Sequence, residues 1–289
     1  MTKVVIVADS TADVPKATAE EYGIHIVPMR LAFGEESFLE GVDITAAEFY
    51  DKLTKSRELP KSSQTSPSQY AEVYRNLLEA TPGSPIVSIH ISSGMSGTYQ
   101  SALLAKTMLE EETGKELDIT VIDSLSASYG FGLQVVEAAR MASKGATVDQ
   151  IKAEVERLGR SRRLYFLVDT LEYLQKGGRI GKAAAILGTL LNIKPILSVD
   201  QEGIIYAVDK ARGRKKAVSR VIELFVNDFG NHKDLNVAVC DAVNPELAQE
   251  FVDLLSQHFT LHEVVRTNIG AVVGSHTGPG AVAIFVWPA

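Results

Sequence analysis

Residues 88–106 read SIHISSGMSGTYQSALLAK, an apolar run that stops at two serines and two glycines before an amphipathic stretch begins. That order predicts a strand, a tight polar loop and a helix starting near Ser96. A strand feeding a helix through a short loop is the repeating unit of α/β architecture. Working outward, the same alternation recurs. Apolar, β-branched runs predict strands over residues 3–8, 24–33, 85–91 and 118–124, with helical patterns over 15–22, 46–55, 67–80, 96–111, 129–143 and 147–160. Three of the strands end on small polar clusters: Asp9-Ser10-Thr11, Ser92-Ser93 and Asp123-Ser124. In open α/β sheets ligands bind beyond the carboxyl ends of the strands, so these loops are the first place to look for a site.

The helical segment ATVDQIKAEVERLGRSRR (146–163) is strongly polar and ends in a basic cluster. It suggests a division near Arg160, giving an N-terminal unit of residues 1–160 and a C-terminal unit of residues 161–289. The second unit is expected to begin with a strand over 164–169. A short helical piece follows, then the glycine pair of LEYLQKGGRIGK (171–182) and an apolar helix over 183–193. Two alternating runs around Gly203 predict a β-hairpin. Helices over 215–228 and 245–259 flank a strand over 236–242. Residues 269–287 read as two apolar runs joined by a turn containing His276, Gly278 and Gly280. The expected fold is therefore two α/β units, the first with a mostly parallel sheet and flanking helices, the second with antiparallel strands.

At 289 residues and 45% hydrophobic, the chain is long enough for two ordinary cores. A net charge of -7 gives no overall electrostatic reason to bind nucleic acid. The single cysteine, Cys240, can form neither an internal disulfide nor a cysteine cluster for a metal, which suits a reduced compartment. Asp9 ends the first apolar run too early for a signal peptide, and no stretch approaches the ~20 apolar residues of a membrane span. The expectation is a cytoplasmic protein.

The loop after residue 91 is the strongest chemical signal. Backbone N–H groups at a helix start have no intrahelical partners and favour an anion, and Gly94 and Gly97 let the backbone come close. No Gly-Lys-Ser/Thr follows, so it is not a Walker loop, and Gly94-Met95-Ser96-Gly97 is not the Gly-x-Ser-x-Gly of a hydrolase elbow. Hydroxyls and free amides without a lysine point to a carboxylate rather than a polyphosphate. A second hydroxyl-rich segment, KSSQTSP (61–67), ends in Ser66-Pro67, a good N-cap and first-turn pair. Ser62, Ser63, Gln64 and Thr65 stay open to two readings, closing over the same helix end or exposure to water. His276, between Ser275 and Thr277, is likewise either a surface turn residue or one oriented for a task. His25 and His90 alternate within strands and are expected to be packed. Basic groups gather at Lys176 and Arg179, and at Lys210, Arg212, Arg214, Lys215 and Lys216. Such a run is a solvated face or a dock for an acidic partner or for transient contact with a membrane surface.

Four segments together resemble the DegV family: VADSTADVP (7–15), SSGMSGTYQSA (92–102), LEYLQKGGRIGK (171–182) and GSHTGPGAVAI (274–284). They occur in register across nearly the full length, which makes the resemblance specific. It implies a bacterial fatty-acid-binding protein, the acyl-carrier subunit of the fatty acid kinase system, enclosing one long-chain acid such as palmitate or oleate in a crevice between two domains. It implies no cofactor and no catalytic groups. An ATP-dependent kinase subunit would convert the bound acid to an acyl-phosphate. The family's carboxyl-binding hydroxyls map to Ser62 and Ser93, with Gly94 and His276 beside them, and Arg179 maps to the surface meeting the kinase. Ser62 stands where threonine is usual and Thr65 where proline is usual. The rival reading is a serine-dependent acyl hydrolase with Ser93 as nucleophile, His276 as base and Asp9 or Asp123 orienting it, a trio that needs mutual hydrogen-bond reach.

Overall fold

The computed structural model describes residues 3–56, 58–188 and 193–289. Among these the strands, in chain order, are β1 (Val5–Asp9), β2 (His25–Val27), β3 (Arg30–Phe33), β4 (Glu36–Leu39), β5 (Lys61–Ser63), β6 (Ile86–His90), β7 (Ile119–Asp123), β8 (Arg163–Leu167), β9 (Ile193–Val199), β10 (Ile205–Arg212), β11 (Asp234–Asp241), β12 (Thr260–Asn268) and β13 (Val282–Pro288). They form three sheets.

The first sheet runs β2-β1-β6-β7 and is parallel throughout. Its central strand, IVSIH, is buried at every position, as a parallel strand covered on both faces must be. Helices Pro67–Ala80 and Thr98–Thr113 cover one face through Tyr70, Tyr74, Ala102 and Leu109. Helices Tyr129–Ser143 and Val148–Ser161 cover the other through Phe131, Val135, Ile151 and Val155. Ser66 caps the first of these helices: its hydroxyl accepts the Gln69 N–H, and the Gln69 side chain accepts the Ser66 N–H.

The second sheet runs β10-β9-β8-β13-β11-β12, antiparallel except for the parallel pair β11–β12. One face is filled by Val218, Val221, Phe225, Phe251 and Leu255 from helices Arg214–Phe229 and Pro245–Ser256. The opposite face, carrying Leu164, Phe166, Leu197 and Phe285, packs against Tyr129 and Leu133 and against Phe49 and Tyr50 of helix Ala46–Lys55. A small antiparallel sheet, β4-β3-β5, closes one side of that seam. The α/β fold, with its parallel first sheet and largely antiparallel second one, is the one the pattern predicted, and the hairpin β9–β10 turns at Gly203, whose φ is +75°.

Four local expectations are corrected. The run 24–33 is two strands in different sheets, because Pro28 has no N–H to continue the ladder and the Met29 N–H donates instead to the Ser10 hydroxyl at 2.9 Å. The helix expected at Ser96 starts at Thr98, since the Ser96 N–H closes a turn on the Ser92 carbonyl. The helix expected over 183–193 is a 3-10 segment over Gly181–Ile186, and Ile193 already belongs to β9; residues 189–192 of that expectation lie outside the described residues. Finally, the first run of 269–287 is a helix, Ala271–Thr277, so His276 sits in its last turn rather than in a loop. Its valines and glycine have poor helix propensity, and side chains from distant elements receive its first N–H groups.

Candidate functional site

A cavity of about 300 Å³ lies in the seam between the two larger sheets. Most of its wall is apolar, with Leu164, Phe166, Val199, Ile205 and Phe285 from the second sheet and its hairpin, and Met29, Ile91 and Met95 opposite. Ile269, Val272 and Val273, at and before the start of helix Ala271–Thr277, complete that wall. The polar lining is a small set: Ser62, Ser63, Gln64, Ser96, Arg179, His276 and Thr277, with Ser128 joining them from the start of helix Tyr129–Ser143. This is the usual composition of a small-molecule site, apolar for affinity with a few polar groups for orientation.

Ser62 and His276 meet directly, across 214 residues of sequence. Ser62 lies on β5, opposite Leu31 of β3, and its Oγ is 2.8 Å from His276 Nε2. The other ring nitrogen, Nδ1, is buried with no hydrogen-bond partner and faces Gly177, where any Cβ would collide with it. Burial, with the nearby Arg179 charge second, pushes the His276 pKa down to about 4, so the ring is neutral at pH 7. The Nε2–H tautomer satisfies the network best. It donates to Ser62 Oγ, leaves the serine proton free to point into the cavity, and avoids stranding an N–H against Gly177. A neutral imidazole thus orients a hydroxyl donor toward the ligand.

Arg179 is exposed at the same edge. Its Nε donates to the Met95 carbonyl at 3.1 Å and its Nη1 to the Gly177 carbonyl at 2.9 Å. The guanidinium thereby ties the serine loop to the segment behind His276 and places a positive charge beside the polar wall. Ser96 lines the cavity, with its Oγ 2.8 Å from Thr98 Oγ1. Gln64 reaches the other way, its Nε2 donating to Ser101 Oγ at 3.0 Å.

The serine loop itself is placed differently from the expectation. Ser93 is exposed, its N–H donates to Asp123 Oδ1 at 3.2 Å, and neither it nor Gly94 lines the cavity. Ser92 is buried and donates to the Gly203 carbonyl at 2.8 Å. A Cβ on Gly94 would meet the Gly203 carbonyl oxygen and Ile204 Cγ1 at 3.1 Å, so the loop's first glycine permits close packing on the hairpin turn. The hydroxyl that this loop gives to the cavity is Ser96, two residues beyond Gly94. Its signal in the sequence was the same Ser-Gly pair, but only the turn geometry separates lining serines from packing ones.

The hydrolase trio does not assemble. His276 pairs with Ser62 rather than Ser93, and no carboxylate orients its Nδ1. Asp9 accepts the Ile91 N–H at 3.0 Å and sits 3.1 Å from His90 Nδ1, while Asp123 holds the Ser93 and Leu125 N–H groups. Ser88, His90 and Asp9 do form a Ser–His–Asp line, with 2.7 Å between Ser88 Oγ and His90 Nε2, but all three lie on β1 and β6 and are fully buried under Tyr70 and Tyr74 of helix Pro67–Ala80. His90 is packed as expected, whereas His25 is exposed on the edge strand β2. Among the described residues no group of three His, Cys, Asp or Glu side chains could hold a metal ion, and no helix is long and apolar enough to cross a membrane.

A family model described as "Uncharacterised protein, DegV family" matches residues 3–289. The chain is 35% identical over 282 residues to Protein DegV of Bacillus subtilis, covering 97% of this chain and 98% of that one. Among solved structures it is similar to a DegV family protein from Thermus thermophilus described for its fatty acid binding, with a TM-score of 0.90, 34% identity and coverage of 99% and 100% of the two chains. It is also similar to a stearic-acid-binding protein from Eubacterium ventriosum, with a TM-score of 0.89, 32% identity and coverage of 100% and 98%.

Proposed function

The chain belongs to the DegV family, and on that premise we propose that it binds one long-chain fatty acid, with the acyl chain in the apolar part of the cavity and the carboxyl group at Ser62. The observation that carries this reading is the Ser62–His276 pair set in an otherwise apolar wall. Burying a ~16-carbon tail at ~0.8 kcal/mol per methylene gives more than about 10 kcal/mol of gross driving force before ordering costs. The head group then needs satisfied hydrogen bonds rather than strong attraction, because a buried carboxylate without partners would be very costly. Ser62, oriented by His276, and Ser96 supply hydroxyls, and Arg179 supplies a nearby charge. Ser93 and Gly94 serve this site by shaping the loop that carries Ser96. In this reading residues 1–160 and 161–289 are two domains, and the ligand lies between them.

The same reading extends to delivery. Arg179 is exposed at the cavity's polar edge, which supports a role in docking an ATP-dependent kinase that would convert the bound acid to an acyl-phosphate, with this chain contributing substrate and no catalytic group. The test is native mass spectrometry of the purified protein followed by extraction. A stoichiometric C14–C18 acid supports the binding reading, and an empty protein that also refuses added palmitate and oleate overturns it. Phosphorylation of the bound acid in the presence of the kinase subunit and ATP tests the second part separately.

A further inference from the structure

Two buried carboxylates lie directly behind the cavity wall, and ligand binding makes no use of them. Asp13 accepts the Gly270 N–H at 3.0 Å and the Ser128 hydroxyl. Glu40 accepts the Val272 N–H at 2.8 Å and the Ser10 hydroxyl, whose oxygen in turn receives the Met29 N–H. Met29, Ser128 and Val272 all line the cavity. The Asp13 carbonyl also accepts the Thr267 hydroxyl at 2.9 Å. The two side chains converge on one point: a Cβ on Gly270 would meet Asp13 Oδ1 at 2.5 Å and Glu40 Oε1 at 2.6 Å.

The backbone around this pair is strained. Asp13 has φ +50° and Ser128 has φ +54° with ψ -151°, conformations that non-glycine residues rarely hold, and these two residues are hydrogen-bonded to each other. Such strain persists only where surrounding contacts over-determine it, and it concentrates at ligand clamps and switch regions. The electrostatics point the same way. Burial first and the Glu40 charge second hold Asp13 well above the usual carboxylate range, and burial raises Glu40 as well. The other titratable groups facing the pair are Asp9 from β1, Tyr50 from helix Ala46–Lys55 and Cys240 from β11, with Asp241 behind Tyr50 and Cys240. None is a cation, and among the described residues neither carboxylate has a cationic partner.

We infer that Asp13 and Glu40 are positioning residues of the ligand cavity: together they clamp the start of helix Ala271–Thr277, and with it Val272 and His276, against the first half of the chain. The identity of what the cavity holds rests on the fatty-acid reading; the clamp does not. Because the folded-state pKa values are raised, the pair's contribution is fully present below the unfolded value near pH 4 and is lost as pH rises through the folded values. Once both groups ionise, like charge and burial favour expelling one of them, which frees Gly270 or Val272. The cavity wall then loosens as pH rises through those folded values.

The experiment uses the full chain and two readouts across a pH series that starts near the unfolded carboxylate value of about 4 and rises to the upper limit of the folded chain. The first is hydrogen exchange at Gly270 and Val272, corrected for intrinsic rates and referenced to the β11–β13 core. The second is the rate at which bound oleate transfers to phosphatidylcholine vesicles. The wild type should lose about tenfold or more of its protection at 270–272 across the range, with release faster by a similar factor. Asp13→Asn, which keeps the acceptor for Gly270 and can donate to Ser128, should show neither pH step; Glu40→Gln gives an independent variant if Asp13→Asn does not fold. No step in the wild type, or the same step in a folded variant, overturns the clamp. Should the protein take up no oleate at all, the fatty-acid reading falls and the exchange arm still decides the clamp.

Discussion

Replacing Ser62 with alanine separates head-group recognition from tail burial. The hydroxyl accepts from His276 Nε2 at 2.8 Å and is thereby free to donate to a ligand carboxylate. A hydrogen bond to a charged group contributes about 1.5–3 kcal/mol, so its loss corresponds to an affinity drop of roughly 10- to 150-fold. Ser62→Ala also leaves the imidazole unpaired at both nitrogens, since Nδ1 already lacks a partner. That cost falls on free and bound protein alike and appears in stability rather than affinity, at about 1–3 kcal/mol. The apolar wall is untouched, so saturation at high ligand concentration should remain stoichiometric. The assay is competitive displacement of a fluorescent fatty acid by oleic acid and by methyl oleate. The wild type should prefer the acid, and Ser62→Ala should shrink that preference by up to that factor, because the ester carbonyl accepts only a weaker, uncharged hydrogen bond from the same hydroxyl. A variant that keeps the wild-type affinity and preference would remove Ser62 from the head-group site and refute the argument.

Other outcomes follow from the same geometry. His276, depressed to about 4 in the folded chain against 6.5 unfolded, should cost stability as pH falls from 6.5 toward 4, with a ceiling of roughly 3 kcal/mol. Chemical denaturation across that range should show a slope that His276→Asn lacks. Gly177→Ala drives a methyl into Nδ1 of the ring and should weaken oleate binding about as much as Ser62→Ala, although Gly177 itself does not line the cavity; unchanged affinity would mean the ring is not held there. Gly203→Ala combines a strained φ of +75° with a collision against Ser92 Oγ, so its melting temperature should fall by several degrees, about 1–3 kcal/mol of stability. Arg179→Glu should slow phosphorylation by the kinase subunit by more than it weakens oleate binding, and a rate unaltered at saturating oleate would take Arg179 out of that interface.

Local pattern was a good guide wherever one chain segment decides its own structure. The buried run IVSIH, the Ser66-Pro67-x-Gln69 cap and the hairpin at Gly203 each follow from neighbours within a few residues. The pattern misled where distant partners intervene. Helix Ala271–Thr277 has little intrinsic tendency to form, and it exists because Asp13 and Glu40, more than 200 positions away, receive its first N–H groups. Strands β4 and β5 were missed because each is too short to show a period on its own and is defined by pairing with β3.

The site divides along the same line. Which side chains could serve a carboxyl group was legible in the sequence: hydroxyls in two loops, a glycine-flanked histidine and an arginine in KGGR. Which of them share a cavity was not. Ser62 and His276 come together through β5 and a C-terminal helix, while Ser93 turns outward and Ser96 inward within one four-residue turn. Residue type and short-range spacing carry the chemistry of a segment, because hydrogen-bonding capacity and turn preference are local properties. Facing direction, burial and the pKa values that follow from it depend on contacts between segments remote in the chain, and only the folded structure brings those contacts about.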